Sequence, residues 1–437
     1  MIQLQVLNHL LDTKDSSMLL MNNITDEFFS DYKEEYEFIC NHLNEYGSIP
    51  DKLTFLDKFP NFDIVEVNES SDYLIDKLYD DRNTRKLAEI FNGILIYLTV
   101  VFTYLYCKRK LDDSKAYFSL IVLCSFVPLF TYLPIFYSDT FSIVFVPLLL
   151  YVYSFIDLKT PKKKKDKKEQ LKKNILLMIL LSGIAFGGLK IKMTIIFVVI
   201  GIIVDIFIKY NFKKTIGFVS IFIIVYFSCS SILNHMTYYH YYVNDYGKIP
   251  ITHWIMMGIE DPDVNNKKRN AYGGYSKRDY EITLSYPTGE QSKKRHIKEI
   301  KTRLKKYTPI ELMDYYDKKI VNTWGDGSYL SLIKLRKRKS NKQMLNKLII
   351  GNDKHKLIIH YEQGVQLALL FILAFSSYYS IKKKDYDNIL LHTAILGVFC
   401  FLLIWETRSR YLYNYIPIFA ITIVTYIDKL RIKKTIK

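Results

Sequence analysis

Apolar residues in this chain of 437 fall into long blocks separated by short lysine-rich or loop-like stretches, not into the brief runs of a water-soluble core. A helix rises about 1.5 Å per residue, so roughly 20 apolar residues cross about 30 Å of hydrocarbon. On that measure spans are predicted near 91–106, 117–137, 140–157, 174–189, 193–209, 214–233, 364–381, 387–405 and 410–427, about nine in all. The first and fourth blocks are short for a crossing and are expected to tilt or re-enter. Between the sixth and seventh lies the one large polar stretch, 234–363.

The first ninety or so residues are patterned differently. Phe28, Tyr32, Tyr36, Ile39 and Leu43 recur at helical spacing after Thr25, a candidate N-cap, and Gly47 stands just past the last of them. Ser48-Ile49-Pro50-Asp51 reads as a turn before Leu53 to Phe59. A last helix is predicted from about Ser71, through Tyr73, Leu74, Leu78 and Leu87, straight into the first span. The fold class expected is therefore all-α: a polytopic α-helical membrane protein with a small N-terminal soluble helical domain. Its segments are 1–92, the soluble domain; 93–233, six spans; 234–363, a loop domain; and 364–437, three spans and a basic tail.

Charge sharpens this division. The formal net charge of +17 splits into −11 for residues 1–90, which hold 8 Lys and Arg against 19 Asp and Glu, and +28 for the remainder. Most of the lysines stand in short runs beside apolar blocks, the pattern of cytoplasmic membrane flanks, so no direct nucleic-acid partner is expected. Such runs follow every second span: Lys108-Arg109-Lys110, Lys162 to Lys173, Lys213-Lys214, Lys382-Lys383-Lys384 and Lys429 to Lys437. With these inside, Tyr137 to Thr140, Leu189 to Lys192, the 234–363 loop and Trp405 to Tyr411 lie outside the cell. The same register starts the first span outside and so places the acidic N-terminal unit across the membrane, although the first twenty residues show no cleavable signal peptide. Cys40, Cys107, Cys124, Cys229 and Cys400 form no CxxC and no metal-spaced set with histidine, so neither disulfide nor metal site is expected.

Candidate chemistry gathers on the outer pieces. Asp139, in Tyr137-Ser138-Asp139-Thr140 between two spans, is a carboxylate at a costly depth; the alternative is a helix cap. Lys190 and Lys192 oppose the positive-inside trend and suit a lipid phosphate, or else snorkel to headgroups. Glu406, Arg408 and Arg410 combine guanidinium forks for phosphate oxygens with a carboxylate able to orient one, or form an interfacial ion pair. His253 and Trp254, Gly273-Gly274-Tyr275 and Thr323-Trp324-Gly325-Asp326-Gly327 set aromatic faces beside glycines, as a carbohydrate wall does and as loop packing also does. No GxxxxGK[ST], no GxGxxG after a strand and no HExxH occurs, which argues against a nucleotide motor.

Two resemblances follow from these residues. Over about 93–430, the Tyr137-x-Asp139-Thr140 loop, the lysine turn, His253-Trp254-x-Met256-Met257-Gly258, Gly273-Gly274-Tyr275, Thr323-Trp324-x-Asp326-Gly327 and Glu406-x-x-x-Arg410-Tyr411 together resemble bacterial multi-pass glycosyltransferases of the GT-C type. The resemblance implies transfer of a sugar from a polyprenyl-phosphate donor in the bilayer to a cell-envelope glycan acceptor. No organic cofactor is implied, and a divalent metal requirement is left open. Asp139 would be the catalytic carboxylate, and Lys190, Lys192, Arg408 and Arg410 with Glu406 would hold donor phosphate. His253, Trp254, Tyr275, Trp324 and Asp326 would face sugar or acceptor. In that family the base usually lies in the first outer loop behind an extra N-terminal span; here the acidic unit takes that place, which implies a truncated and inactive enzyme as the variant reading.

Residues 1–92 resemble the N-terminal domain of DnaB-type replicative helicases, through Val6 to Leu11, Phe28-Phe29 leading into Tyr36 to Ile39, Gly47 to Asp51 and Arg85 to Asn92. That resemblance implies oligomerisation and partner binding without ATP hydrolysis, and a fusion or chimera joined near Asn92. A membrane transporter is the further alternative, against which stand the lack of paired charges inside spans and of broken helices in repeated halves.

Overall fold

The computed structural model of the chain describes residues 1–22, 24–159, 164–240, 249–263, 272–286, 288–336, 349 and 353–435; part of the 161–173 lysine run and the last two tail residues lie outside them. Helix dominates and no strand occurs among the described residues. The chain divides into two compact units. One comprises Met1–Ile94 with Leu133–Phe136 and Ser331–Ile358, the other Leu95–Tyr132, Tyr137–Leu330 and Ile359–Lys437.

The first unit is built on α1 (Ile2–Thr13), α2 (Lys33–Tyr46), α3 (Lys52–Lys58) and the early turns of α4 (Ser71–Lys110). Thr25 opens only a 3₁₀ turn, Asp26–Phe28, and α2 starts at Lys33. Gly47 ends α2 at φ +69°, the left-handed conformation a residue without Cβ adopts freely, and its N–H reaches Leu43 O at 2.9 Å. Asp51 caps α3 by accepting the Thr54 N–H at 2.7 Å. Leu7, Leu10, Phe29, Ile39, Phe55, Leu74 and Leu78 are fully buried together, with Phe29 stacked on Tyr36 at 4.4 Å. The buried Asn8 amide ties this core to the 63–65 strap, donating to Asp63 O and accepting from Val65 N.

The second unit contains the rest of α4, then α5 (Asp113–Ser125), α6 (Ser138–Ser142), α7 (Phe145–Tyr153), α8 (Lys164–Ile191), α9 (Ile196–Lys209) and α10 (Phe212–His240). After these come α11 (Ile251–Met257), α12 (Lys277–Leu284), α13 (Gly289–Lys306) and α14 (Pro309–Trp324), then α15 (Asp353–Lys383) from Ile359 onward, α16 (Ile389–Ile404) and α17 (Ile416–Thr435). Among the described residues α4, α8, α10 and α15 are long and apolar enough to cross a membrane. In the first and fourth blocks the short apolar run is part of a longer helix, because the polar residues before it stay helical. The interrupted blocks are instead the second and third. α5 stops at Ser125 ahead of Pro128, and Pro147 has no N–H with which to bridge α6 to α7 through Ile143 O.

Only 6% of the most apolar window of α10 is buried, and Ile224 and Phe227 are about two-thirds exposed. Water would penalise such a surface and hydrocarbon does not. Where helices meet, glycine sets the approach. A Cβ on Gly201 of α9 would stand 2.6 Å from Leu390 O of α16, and one on Gly397 of α16 would stand 2.6 Å from the Phe197 ring of α9. α11 to α13 are held by Arg303, which is 2% exposed: it donates to Asp279 at 2.5 and 3.0 Å and to the Met256 and Ile259 carbonyls at 2.9 Å.

Candidate functional site

The site is a meeting of three non-helical or short segments. α6 carries Asp139 in its first turn; Lys192 follows the end of α8 in an extended conformation; and Ser409–Tyr415 forms a 3₁₀ stretch leading into α17. Hydroxyl and amide bonds fix the third segment from several sides. Asn414 donates to Ser142 at 2.7 Å, Tyr415 to Thr194 O at 2.7 Å and Ser409 to Asp326 at 2.5 Å, while Tyr413 packs on Tyr132 at 4.3 Å.

Asp139 is 1% exposed, with Lys192 Nζ 2.5 Å from one carboxylate oxygen and Arg410 Nε 3.9 Å from the other. It is not a helix cap: the N-cap of α6 is Tyr137, and neither Asp139 oxygen takes an aligned hydrogen bond among the described residues. Lys192 lies over the Tyr411 ring at 4.3 Å and Arg410 over Tyr137 at 4.9 Å. Burial lowers the Lys192 ammonium pKa, and Asp139 opposes that shift. Glu406, 2% exposed, accepts from Arg408 Nε at 2.9 Å and from the Tyr411 hydroxyl at 3.0 Å. Three cations thus stand with two carboxylates, and the Arg408 side chain, 30% exposed, is the most open of them. A surplus of one positive charge, two of the cations being guanidinium groups, suits phosphate oxygens.

Lys190 is not part of this cluster. Its Nζ donates to Ser230 of α10 at 3.1 Å and sits over Phe186 and Tyr226. Trp324 is buried against Phe399 at 5.7 Å and Phe419 at 6.3 Å. Asp326 accepts from Ser328 N, Leu330 N and the Ser328 and Ser409 hydroxyls, and so holds Tyr329 and Leu330 at φ +48° and +62°. His253 is fully buried, its Nδ1 2.6 Å from the Thr283 hydroxyl, which also meets His296 Nε2 at 2.9 Å. Burial lowers the pKa of His253, and takes that of His296 down to about 4, so His296 is neutral at pH 7. Trp254 lies parallel to Trp405 at 6.3 Å, and Tyr275, 43% exposed, offers the most open ring of the predicted set.

The glycines of the loop serve backbone approach. A Cβ on Gly258 would fall 2.5 Å from Ile404 O, and Gly273, at φ +69°, passes its carbonyl to the Thr407 N–H at 2.7 Å. These contacts seat the loop on the 404–407 stretch and so place Glu406. Two charged groups escaped the sequence reading. Lys319 of α14, 1% exposed, donates to Gly258 O, and burial takes its pKa down to about 7 against the pull of Glu406. Glu362 of α15, 2% exposed, has no hydrogen-bond partner for either oxygen among the described residues. Lys319 had a legible signal, since it shares a stripe at four-residue intervals with the buried Tyr315 and Thr323.

A family described as conserved hypothetical integral membrane protein matches residues 86–430. The chain belongs to that family. Every predicted site residue lies within the match, as do the four long apolar helices except for the first turns of α4. The protein is accordingly an integral membrane protein, and residues 1–85 lie outside the family match. No curated protein and no solved structure matches the chain.

Proposed function

We propose that the protein transfers a sugar from a polyprenyl-phosphate donor to a cell-envelope acceptor, in the manner of the GT-C glycosyltransferases it resembles. The observation that carries this reading is the buried Asp139 carboxylate between Lys192 and Arg410, with the Glu406–Arg408 pair beside it. In this reading Lys192 and Arg410 hold the donor phosphate in a low-dielectric setting, where charge stabilisation of the departing phosphate is strongest. Arg408 meets the donor first, Glu406 fixes its orientation, and Asp139 is the carboxylate at the reacting centre. Lys190 has no part in it.

The test uses reconstituted protein and labelled polyprenyl-phosphate sugars. Wild type is expected to transfer label, with Arg410→Ala lower by ~10²-fold or more and Asp139→Asn at background, as for loss of a preorganised charge. Transfer undiminished in both variants would remove the site. Binding of the donor by wild type without transfer, lost in Arg410→Ala, would identify the truncated and inactive form.

A second reading concerns residues 1–92 as a helicase-type assembly module joined near Asn92. It is supported by a core confined to that unit; the family match, from Lys86, takes in the last residues of the helicase-like pattern. A fragment of residues 1–94 should then be a soluble oligomer by light scattering, and one transcript should cross codons 85–100. A monomeric fragment or an absent junction transcript argues against it.

A further inference from the structure

Away from the Asp139 cluster, the second unit holds a cavity of about 520 Å³. It lies where the lysine-rich end of α4, the last turns of α9, α15 and α17 and the start of α16 converge, and Tyr106, Lys110, Asp205, Tyr379 and Asp387 are among its lining. The volume is that of a small-molecule site. Its charges are largely spoken for. Asp205, 3% exposed, takes the Tyr153 hydroxyl and Lys209 Nζ, both at 2.7 Å; Asp385 pairs with Lys429; and Asp428 pairs with Lys115 at 3.1 Å.

Two opposite charges remain available. Lys110 has no ion-pair or hydrogen-bond partner among the described residues. The Asp387 backbone is bonded to Lys209 and Asp385, but its carboxylate, 78% exposed, makes only a long ion-pair contact of 3.6 Å among the described residues, to Lys429, itself already bound to Asp385. The Tyr106 and Tyr379 hydroxyls add two donors with no hydrogen bond of their own among the described residues. A lone anion would meet four aspartates, and a lone cation three lysines, Lys110, Lys209 and Lys429. A ligand carrying both charges answers both. We propose that this cavity binds a phosphate linked to a primary ammonium, the chemistry of a phosphoethanolamine group, with the phosphate on Lys110 and the tyrosine hydroxyls and the ammonium on Asp387. The setting at the polar ends of apolar helices favours a lipid headgroup as its source over a free solute.

The full chain is reconstituted in nanodiscs of mixed phosphatidylethanolamine, phosphatidylcholine and phosphatidylglycerol, and retained lipid is counted by native mass spectrometry after delipidation. Phosphatidylcholine keeps the phosphate without ammonium N–H donors, and phosphatidylglycerol lacks the ammonium. Wild type is expected to retain phosphatidylethanolamine over both. Lys110→Ala should lower that retention about fivefold, the ratio one partly screened charge contact supports. Asp387→Asn should abolish preference over phosphatidylcholine while total lipid stays unchanged. Both side chains are exposed, so folding is checked by an unchanged unfolding midpoint. Protection of detergent-solubilised protein by free phosphoethanolamine, without lipid preference, assigns the free solute instead and keeps the charge assignment. Equal retention of all three lipids with no protection by phosphoethanolamine, or preferences untouched by both variants, overturns the proposal.

Discussion

Lys319 shows how one buried side chain makes stability depend on pH. Its ammonium is desolvated, so its folded pKa lies at about 7 against an ordinary 10.5. Between those values the unfolded chain binds the proton and the folded chain has released it, so stability rises with pH across that window. Below pH 7 both states are protonated and the full burden of the buried charge is present. Denaturation midpoints of solubilised wild type should therefore climb relative to Lys319→Met from pH 7 toward 10, and parallel profiles would contradict the desolvated lysine. Asp326 poses a second question at this scale, because its four accepted bonds hold two left-handed residues. Asp326→Ala should cost ~2–4 kcal/mol, through unsatisfied donors and released strain. A loss of sugar binding with unchanged stability would instead place it against substrate.

Among elements, the α9–α16 seam is closely packed, and its two glycines differ in what they face. Gly201 meets a backbone carbonyl, which cannot move without shifting α16, whereas Gly397 meets the Phe197 ring, which can rotate. Gly201→Ala should cost ~1–3 kcal/mol by overpacking and Gly397→Ala distinctly less. Thermal midpoints in detergent decide the order; equal losses would show that α9 and α16 separate freely. α6 and α7 illustrate a different use of an element. The bond from Asn414 to Ser142 ties α6, with Asp139 in its first turn, to the Ser409–Tyr415 stretch.

For the whole molecule, charge asymmetry makes a claim about sides. If the lysine-rich ends are cytoplasmic, Lys429→Cys in a cysteine-free background should react with an impermeant thiol reagent only after the cells are opened. Tyr275→Cys should react in intact cells. Tyr46→Cys, 65% exposed in the first unit, tests whether α4 crosses. Labelling together with Tyr275 is expected from the register, and labelling together with Lys429 would mean that α4 ends on the side where it began.

Local information was enough for part of the helical pattern. The left-handed Gly47, the start of α4 at Ser71 and the long apolar α10 and α15 follow from spacing, caps and hydrophobic length, which act within a few residues, whereas α8 runs well beyond its short apolar block and Asp51, read as part of a turn, caps α3. The sequence also marked Asp139, Lys192, Glu406, Arg408 and Arg410 as unusual by type and depth. Their grouping lay beyond it. Residues 139, 192 and 410 meet through packing of helices far apart in the chain, and the same packing sends Lys190, only two residues from Lys192, to Ser230. Burial of Lys319 and Glu362 and the close backbone approach at Gly258 and Gly273 likewise depend on which surfaces face one another. Hydrophobic length and charge determine that this chain enters a membrane as helices, while the partners of each buried charge are decided by tertiary contact, because Coulomb and hydrogen-bond energies depend on separations of a few ångströms.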